Sequence, residues 1–227
     1  VFPTGIGAGR LRAADECRAP LVPGHLDRLE LDGLQDHDGG SEVAVSGSAV
    51  AADAEHVSFS RSTITGVRFT AAQLRRLELT DVVVTDCDLA GAVLEELSLD
   101  RVAFVGCRFT EADLGGARLV DVAFTDCQLD EAALRLVRAE RLVVRGGSAL
   151  GLDLYRGWAN GSRWHDVDLT GADLSGAHLE RARLQGSTLT DVRGAKALEG
   201  SVIDHEQVFV VGRALIAEAG IVVDEDR

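Results

Sequence analysis

Residues 112–131 read Ala112-Asp113-Leu114-Gly115-Gly116, Ala117-Arg118-Leu119-Val120-Asp121, Val122-Ala123-Phe124-Thr125-Asp126, Cys127-Gln128-Leu129-Asp130-Glu131. The middle residue of each five is large and apolar. Two residues earlier stand small side chains such as Ala112, Ala117 and Cys127. The pattern runs far beyond this stretch. Every fifth residue from Phe59 to Leu189 makes 27 positions, of which 24 are large and apolar and three are Ala (Ala139, Ala149, Ala159). None is charged. The series two residues earlier is mostly small and also uncharged, so the other three positions of each five carry nearly all the polar residues.

A period of five excludes the ordinary elements. Five residues advance an α-helix by about 500°, which smears the apolar positions around its circumference. On a flat strand of period two, every second repeat would point to the wrong face. The pattern fits a coil in which each five residues form one short side, with one large and one small side chain inward. Four sides make a turn of about 20 residues, and turns stack at roughly the 4.8 Å β-spacing. Residues 59–189 then predict about 6.5 turns and a rod roughly 31 Å long.

Ala112-Asp113-Leu114-Gly115-Gly116 and Ala172-Asp173-Leu174-Ser175-Gly176 match a known signature in full: Ala, then Asp or Asn, then Leu, then two free residues. Residues 57–193 resemble the pentapeptide-repeat proteins. The resemblance implies an all-β fold, a right-handed quadrilateral β-helix. The expected organisation is an irregular N-terminal cap and early coil (1–56), the repeat β-helix (57–193), and a C-terminal capping helix with a tail (194–227).

Of the 227 residues, 46% are hydrophobic but only 4% aromatic, so the core is expected to be small and aliphatic. The net charge of −14 argues against direct nucleic-acid binding and against anionic membrane surfaces. Residues 57–193 hold 16 Lys and Arg against 20 Asp and Glu. The flanks hold four against ten (1–56) and three against seven (194–227), so most of the excess acid sits at the ends. No apolar run approaches a membrane span, and no signal peptide is evident. A cytoplasmic location with reduced thiols is expected.

Asp204, with Gln207 three residues on, reads as a capping box opening a helix over about 205–219 that ends at Gly220. Val208, Val211, Leu215 and Ala219 fall on one face, expected to cover the last coil. The remaining apolar residues, Phe209, Val210 and Ile216 together with Leu215, span more than one face. They predict a homodimer through the C-terminal end, which the resemblance also implies for some relatives. The tail Asp224-Glu225-Asp226-Arg227 is expected to be mobile.

Catalytic motifs fail on inspection, and neither a cofactor nor a metal is expected. His205-Glu206 lacks the second His of a zinc protease motif, because Phe209 stands there. Gly5-Ile6-Gly7-Ala8-Gly9 lacks the third glycine of a nucleotide loop, where Arg10 stands. Cys87, Cys107 and Cys127 are 20 residues apart, hence one inner column, and read as small core residues.

Outward columns at the same interval carry more information. Arg61, Asp81, Arg101, Asp121 and Arg141 alternate in sign and predict a ladder of surface ion pairs. Arg118, Arg138, Trp158 and His178 form a second column. With Tyr155, Arg156, Arg135, Arg141, Arg145 and Arg163 nearby, it resembles an interface hot spot. In the same zone Ala139, Ala149 and Ala159 thin the core, so the coil is expected to narrow or an outer residue to fold inward.

Function is expected to be binding without chemistry. The resemblance implies mimicry of duplex DNA towards a type II topoisomerase such as DNA gyrase, with Glu95, Glu96, Glu111, Asp113, Asp130 and Glu131 supplying part of an acidic face. The alternative is a scaffold that binds a protein through Arg138, Tyr155, Arg156 and Trp158.

Overall fold

A computed structural model of the chain describes residues 17–223. The Gly5–Gly9 segment and the tail from Asp224 lie outside the described residues. The chain winds into a parallel β-solenoid of about seven turns closed by a short C-terminal helix. Residue i meets residue i+20 along the rod: Ser58, Glu78, Ser98, Arg118, Arg138, Trp158 and His178 stack as successive rungs. The 20-residue interval holds on all four walls. The first coils are shorter, with Asp27 beside Val43 and Gly39 beside Ser58. At the far end Arg183 meets Val202.

The four walls are not built alike. The first (centred on Leu79, Leu99, Leu119) and the second (Val84, Phe104, Phe124) run together as extended strands, as in Glu78–Thr85, Ser98–Val105 and Arg118–Thr125. The third (Leu89, Phe109, Leu129) meets its neighbours through single bridges, as does the fourth (Leu94, Leu114, Leu134) beyond its first coils. There the residue before the large one is often Asp, and its carboxylate accepts the backbone N–H two residues on. Asp88 takes Ala90 N at 3.0 Å, Asp113 takes Gly115 N at 2.8 Å and Asp173 takes Ser175 N at 2.9 Å. This local bond holds a tight turn where no strand forms, and gives the Asp of the Ala-Asp-Leu pattern a physical reason.

The corners place many non-glycine residues in the left-handed region, including Asp81 (φ 56), Arg101 (φ 54) and Asp121 (φ 54). Such a conformation costs about 1 kcal/mol or more per residue. Bonds between coils hold it in place, as from Asp86 N to Val105 O at 2.9 Å.

The core is one continuous column of buried side chains. At its centre Phe104 and Phe124 stack at 5.0 Å, and Phe109 packs edge-on to both. The small-residue wall positions compensate where the large ones shrink. Leu142 and Leu152, in the normally small places, are fully buried beside Ala139, Ala149 and Ala159. The inward folding of an outer residue, one of the two outcomes expected there, does not occur: Leu136 and Leu150 stay exposed. The column Cys87, Cys107, Cys127 is buried, with each thiol donating to backbone carbonyls. Hydrogen bonding to Cys107 and burial push the Cys87 and Cys127 thiols above their usual range. The column stops at Gly147, because a Cβ there would strike the Cys127 carbonyl.

The C-terminal cap forms where expected, but with a different face inward. A 3₁₀ turn (His205–Gln207) with a capping box leads into helix α1 (Val208–Glu218). Val208, Leu215 and Ala219 are exposed; of the expected face only Val211 is buried. The inward stripe is Gln207, Val211 and Ala214, with the exposed Glu218 reaching back to the coil at its end. Gln207 donates to the carbonyls of Leu184 and Ser187, and Glu218 accepts from the amides of Ala195 and Lys196. The last coil ends in unpaired backbone groups, and leaving those unsatisfied costs more than exposing a valine.

Candidate functional surfaces

The first wall ends in the charged column, and its structure corrects the expected ladder. Arg101 forks onto Asp81, with Nε–Oδ1 at 2.6 Å and Nη2–Oδ2 at 2.8 Å. Arg141 does the same to Asp121, at 2.6 and 2.9 Å. Arg61 instead pairs with Glu42 at 2.8 Å. So the column holds two separate bidentate pairs and not a continuous ladder. Nor are both partners at the surface, for Asp121 is only 1% exposed and Asp81 7%.

What buries them is residues 18–21, lying along the rod. Arg18 N donates to Asp121 Oδ1 at 3.0 Å and Leu21 N to Asp81 Oδ1 at 3.1 Å. Three residues of extended chain span about 10 Å, which is also the height of two coils, so the amides and carboxylates share a register. The forked Arg101, with help from the Leu21 amide, holds Asp81 below the usual carboxylate range against the effect of burial. Burial opposes ionisation of Asp121, but Arg141 and the Arg18 amide outweigh it and its pKa is also lowered. Beside them, burial and Asp121 push the Cys17 thiol up to about 11. Backbone amides leave no trace in side-chain patterns, so this strap is invisible to the repeat register.

The expected acidic residues divide between two walls. Glu95, Glu96 and Asp113 lie on the fourth wall, where Glu96 pairs with Arg76 at 2.9 Å and Glu95 lies 3.7 Å from Arg75. Asp113 is engaged with Gly115 N. Glu111, Asp130 and Glu131 lie on the third wall with Asp88, Asp168 and Asp191, which the sequence reading did not single out. Within residues 57–193 the third wall carries these six acids against Arg68 and Arg108. The first, second and fourth walls balance at six against six, three against three and five against five. The whole excess of the coil therefore falls on one wall. The corner leading into it adds exposed Asp86, Asp126 and Asp166, whose balancing Arg145, Arg163 and Arg183 sit on the second wall.

The aromatic residues gather where the fourth wall turns into the first, across the rod from the acidic wall. Trp158 is 54% exposed and lies against His178 with ring centroids 4.2 Å apart. Tyr155 is 39% exposed, with the Arg156 guanidinium 5.1 Å from its ring centre. Arg138 is the rung beside Trp158. Leu136, 57% exposed, completes the cluster. Arg135 and Arg141, placed nearby by sequence, are engaged with Asp153 and Asp121.

Phe209, Leu215 and Ile216 are exposed on α1, with Val210 half-buried. Among the described residues no group of three or more His, Cys, Asp or Glu is placed to hold a metal ion. No helix there is long and apolar enough to cross a membrane.

The fold and its surfaces define a repeat solenoid, whose conserved-period interior leaves all variation to its outer walls. Residues 78–116, 103–138 and 158–193 match the model of the pentapeptide repeats, in eight copies. These stretches of the chain are pentapeptide repeats. Among solved structures it is similar to HetL, a pentapeptide repeat protein involved in heterocyst differentiation regulation from the cyanobacterium Nostoc sp. That likeness has 21% identity, covers 74% of this chain and 90% of the other, and has a TM-score of 0.30. It is similar as well to full-length QnrB1, a plasmid-mediated fluoroquinolone resistance protein, at 16% identity, 83% and 99% coverage and a TM-score of 0.38. A pentapeptide repeat protein of the Arabidopsis thaliana thylakoid lumen matches at 18% identity, 64% and 71% coverage and a TM-score of 0.19. No curated protein matches the chain in sequence.

Proposed function

We propose that this protein acts without chemistry, as a cytoplasmic binding rod that presents its third wall to a type II topoisomerase, DNA gyrase foremost, in place of duplex DNA. The observation that carries the reading is the confinement of the coil's excess negative charge to one wall. With the corner aspartates, nine carboxylates line a rod roughly 31 Å long, about one per 3.5 Å, near the phosphate spacing along a single DNA strand. Such a wall steers a basic groove towards it, more weakly as salt rises. The arginine-rich corner lies on the far side of the rod, where it does not oppose that approach.

The test is supercoiling by purified gyrase, with and without a quinolone. Inhibition or protection is the expected result. No effect with the protein in large excess would overturn the proposal.

The same reading includes a homodimer through Phe209, Val210, Leu215 and Ile216. Phe209 is 71% exposed and borders further exposed apolar residues, Val208 and Ile221. Light scattering at micromolar concentration should give twice the chain mass, and a monomer would refute the dimer.

A further inference from the structure

The corner between the fourth and first walls carries apolar surface that the fold does not use. Leu134, Leu154 and Ala159 already fill the core at this level. Leu136, Tyr155 and Trp158 point into water from two consecutive coils. Burying one such side chain is worth about 1.5–3 kcal/mol, so a cluster of three is an unused store of binding energy.

Its charge narrows what fits. Arg118 and Arg138 are the two rungs before Trp158, and Arg156 lies over Tyr155. Among the described residues none of these three arginines has a carboxylate partner. Elsewhere on the coil Arg61, Arg75, Arg76, Arg101, Arg108, Arg135, Arg141 and Arg193 have one; Arg68, Arg145, Arg181 and Arg183 do not among the described residues, but none of them flanks an exposed aromatic cluster. On a chain of net charge −14, three guanidinium groups without carboxylate partners gather around one aromatic cluster.

We propose that this corner docks an acidic segment of a partner protein that carries one apolar anchor side chain. Arginine pairs carboxylates in a fork and stacks on aromatic rings. An aromatic centre rimmed by arginine is the usual make-up of an interface hot spot. Arg118 to Trp158 is two rungs, about 10 Å, so an extended segment lying along the rod spans it in three residues. Nucleic acid fits worse, since its phosphates would be repelled by the acidic remainder of the chain. The inference concerns a different wall from the topoisomerase reading and stands or falls apart from it.

Fluorescence tests it directly. The chain has two tryptophans, and Trp164 is buried, so quenching by a solute reports on Trp158. The intact protein is titrated with a synthetic peptide of Asp and Glu carrying one central Leu. Saturable protection and a blue shift are expected, weakening as salt rises. Arg138→Glu and Arg156→Glu should each lower affinity roughly tenfold or more, with unchanged melting temperature. Glu131→Lys, on the third wall, should not weaken it. A fluorescein-labelled form of the peptide, followed by anisotropy, keeps the Trp158→Ala variant measurable, and binding should fall there too. No saturable signal, full affinity in both arginine variants, or tighter binding of oligo(dT) at the same corner would overturn the proposal.

Discussion

The first and third walls stand opposite each other on one core, and they spend their charge differently. The first wall places four of its six acids, Asp81, Asp100, Asp121 and Glu140, in contact with its arginines. Asp81 and Asp121 are buried, forked onto Arg101 and Arg141, and used as acceptors for the strap. The third wall leaves Glu111, Glu131 and Asp191 exposed with few cations near. Carboxylates thus stand in two states: on one wall Asp81 and Asp121 hold the molecule together, while on the other Asp88 pairs with Arg108 and Glu111, Glu131 and Asp191 stay exposed. Net charge alone cannot separate these uses; register in the coil can.

Breaking the shared interior should have the largest effect, and on both walls at once. Leu114 is fully buried, and Leu114→Asp places a charge in the core without a partner, at a cost of several kcal/mol. Gly115→Asp changes an outward position on the same turn and should cost less than about 1 kcal/mol. Thermal melts of the two variants should differ widely, and equal midpoints would show that the register is wrong.

The contrast between the walls is sharpened by removing one acid from each. Asp121→Ala leaves Arg141 half-buried without its fork and frees the Arg18 amide, a loss of roughly 3 kcal/mol. Glu131→Ala, on the exposed wall, should stay within about 0.5 kcal/mol. Denaturant midpoints check both values. Acid should act through the same groups. The folded-state pKa values of Asp81 and Asp121 are lowered, so their contribution is fully present above the unfolded value near 4 and is lost as pH falls through the folded values. Amide exchange at Arg18 and Leu21 should therefore be slow near pH 5 and accelerate, relative to the intrinsic rate, only at a pH below the unfolded value near 4. Loss of protection already at pH 5 would contradict the strap.

A smaller effect concerns the core column beneath the third wall. Cys87, Cys107 and Cys127 are buried and free, so a thiol reagent should modify them only after unfolding. Rapid labelling of all three in the native protein would mean that the third wall opens.

Much of this fold was legible because a period of five repeats the same two inward positions 27 times. One misread residue changes little in so long a series. The walls followed from the same counting, which is why Trp158 and Tyr155 were placed outward correctly. Three features were not legible. The strap binds through backbone amides of Arg18 and Leu21. The inward face of α1 answers to the polar groups of the last coil, so Gln207 and Glu218 displaced the apolar stripe. The sorting of acids into paired and bare depends on side-chain reach between successive coils, as Arg76 to Glu96 shows.

The most direct test of the account sets the two walls against each other in one assay. Gyrase supercoiling is measured with the native protein and with two charge-reversed forms. Glu111→Lys with Glu131→Lys alters the third wall, and Glu140→Lys with Glu180→Lys alters the first. The account predicts that the third-wall form loses its effect on gyrase and the first-wall form keeps it, with both melting like the native protein. Equal activity of the two forms would contradict the claim that the bare acidic wall is the binding surface.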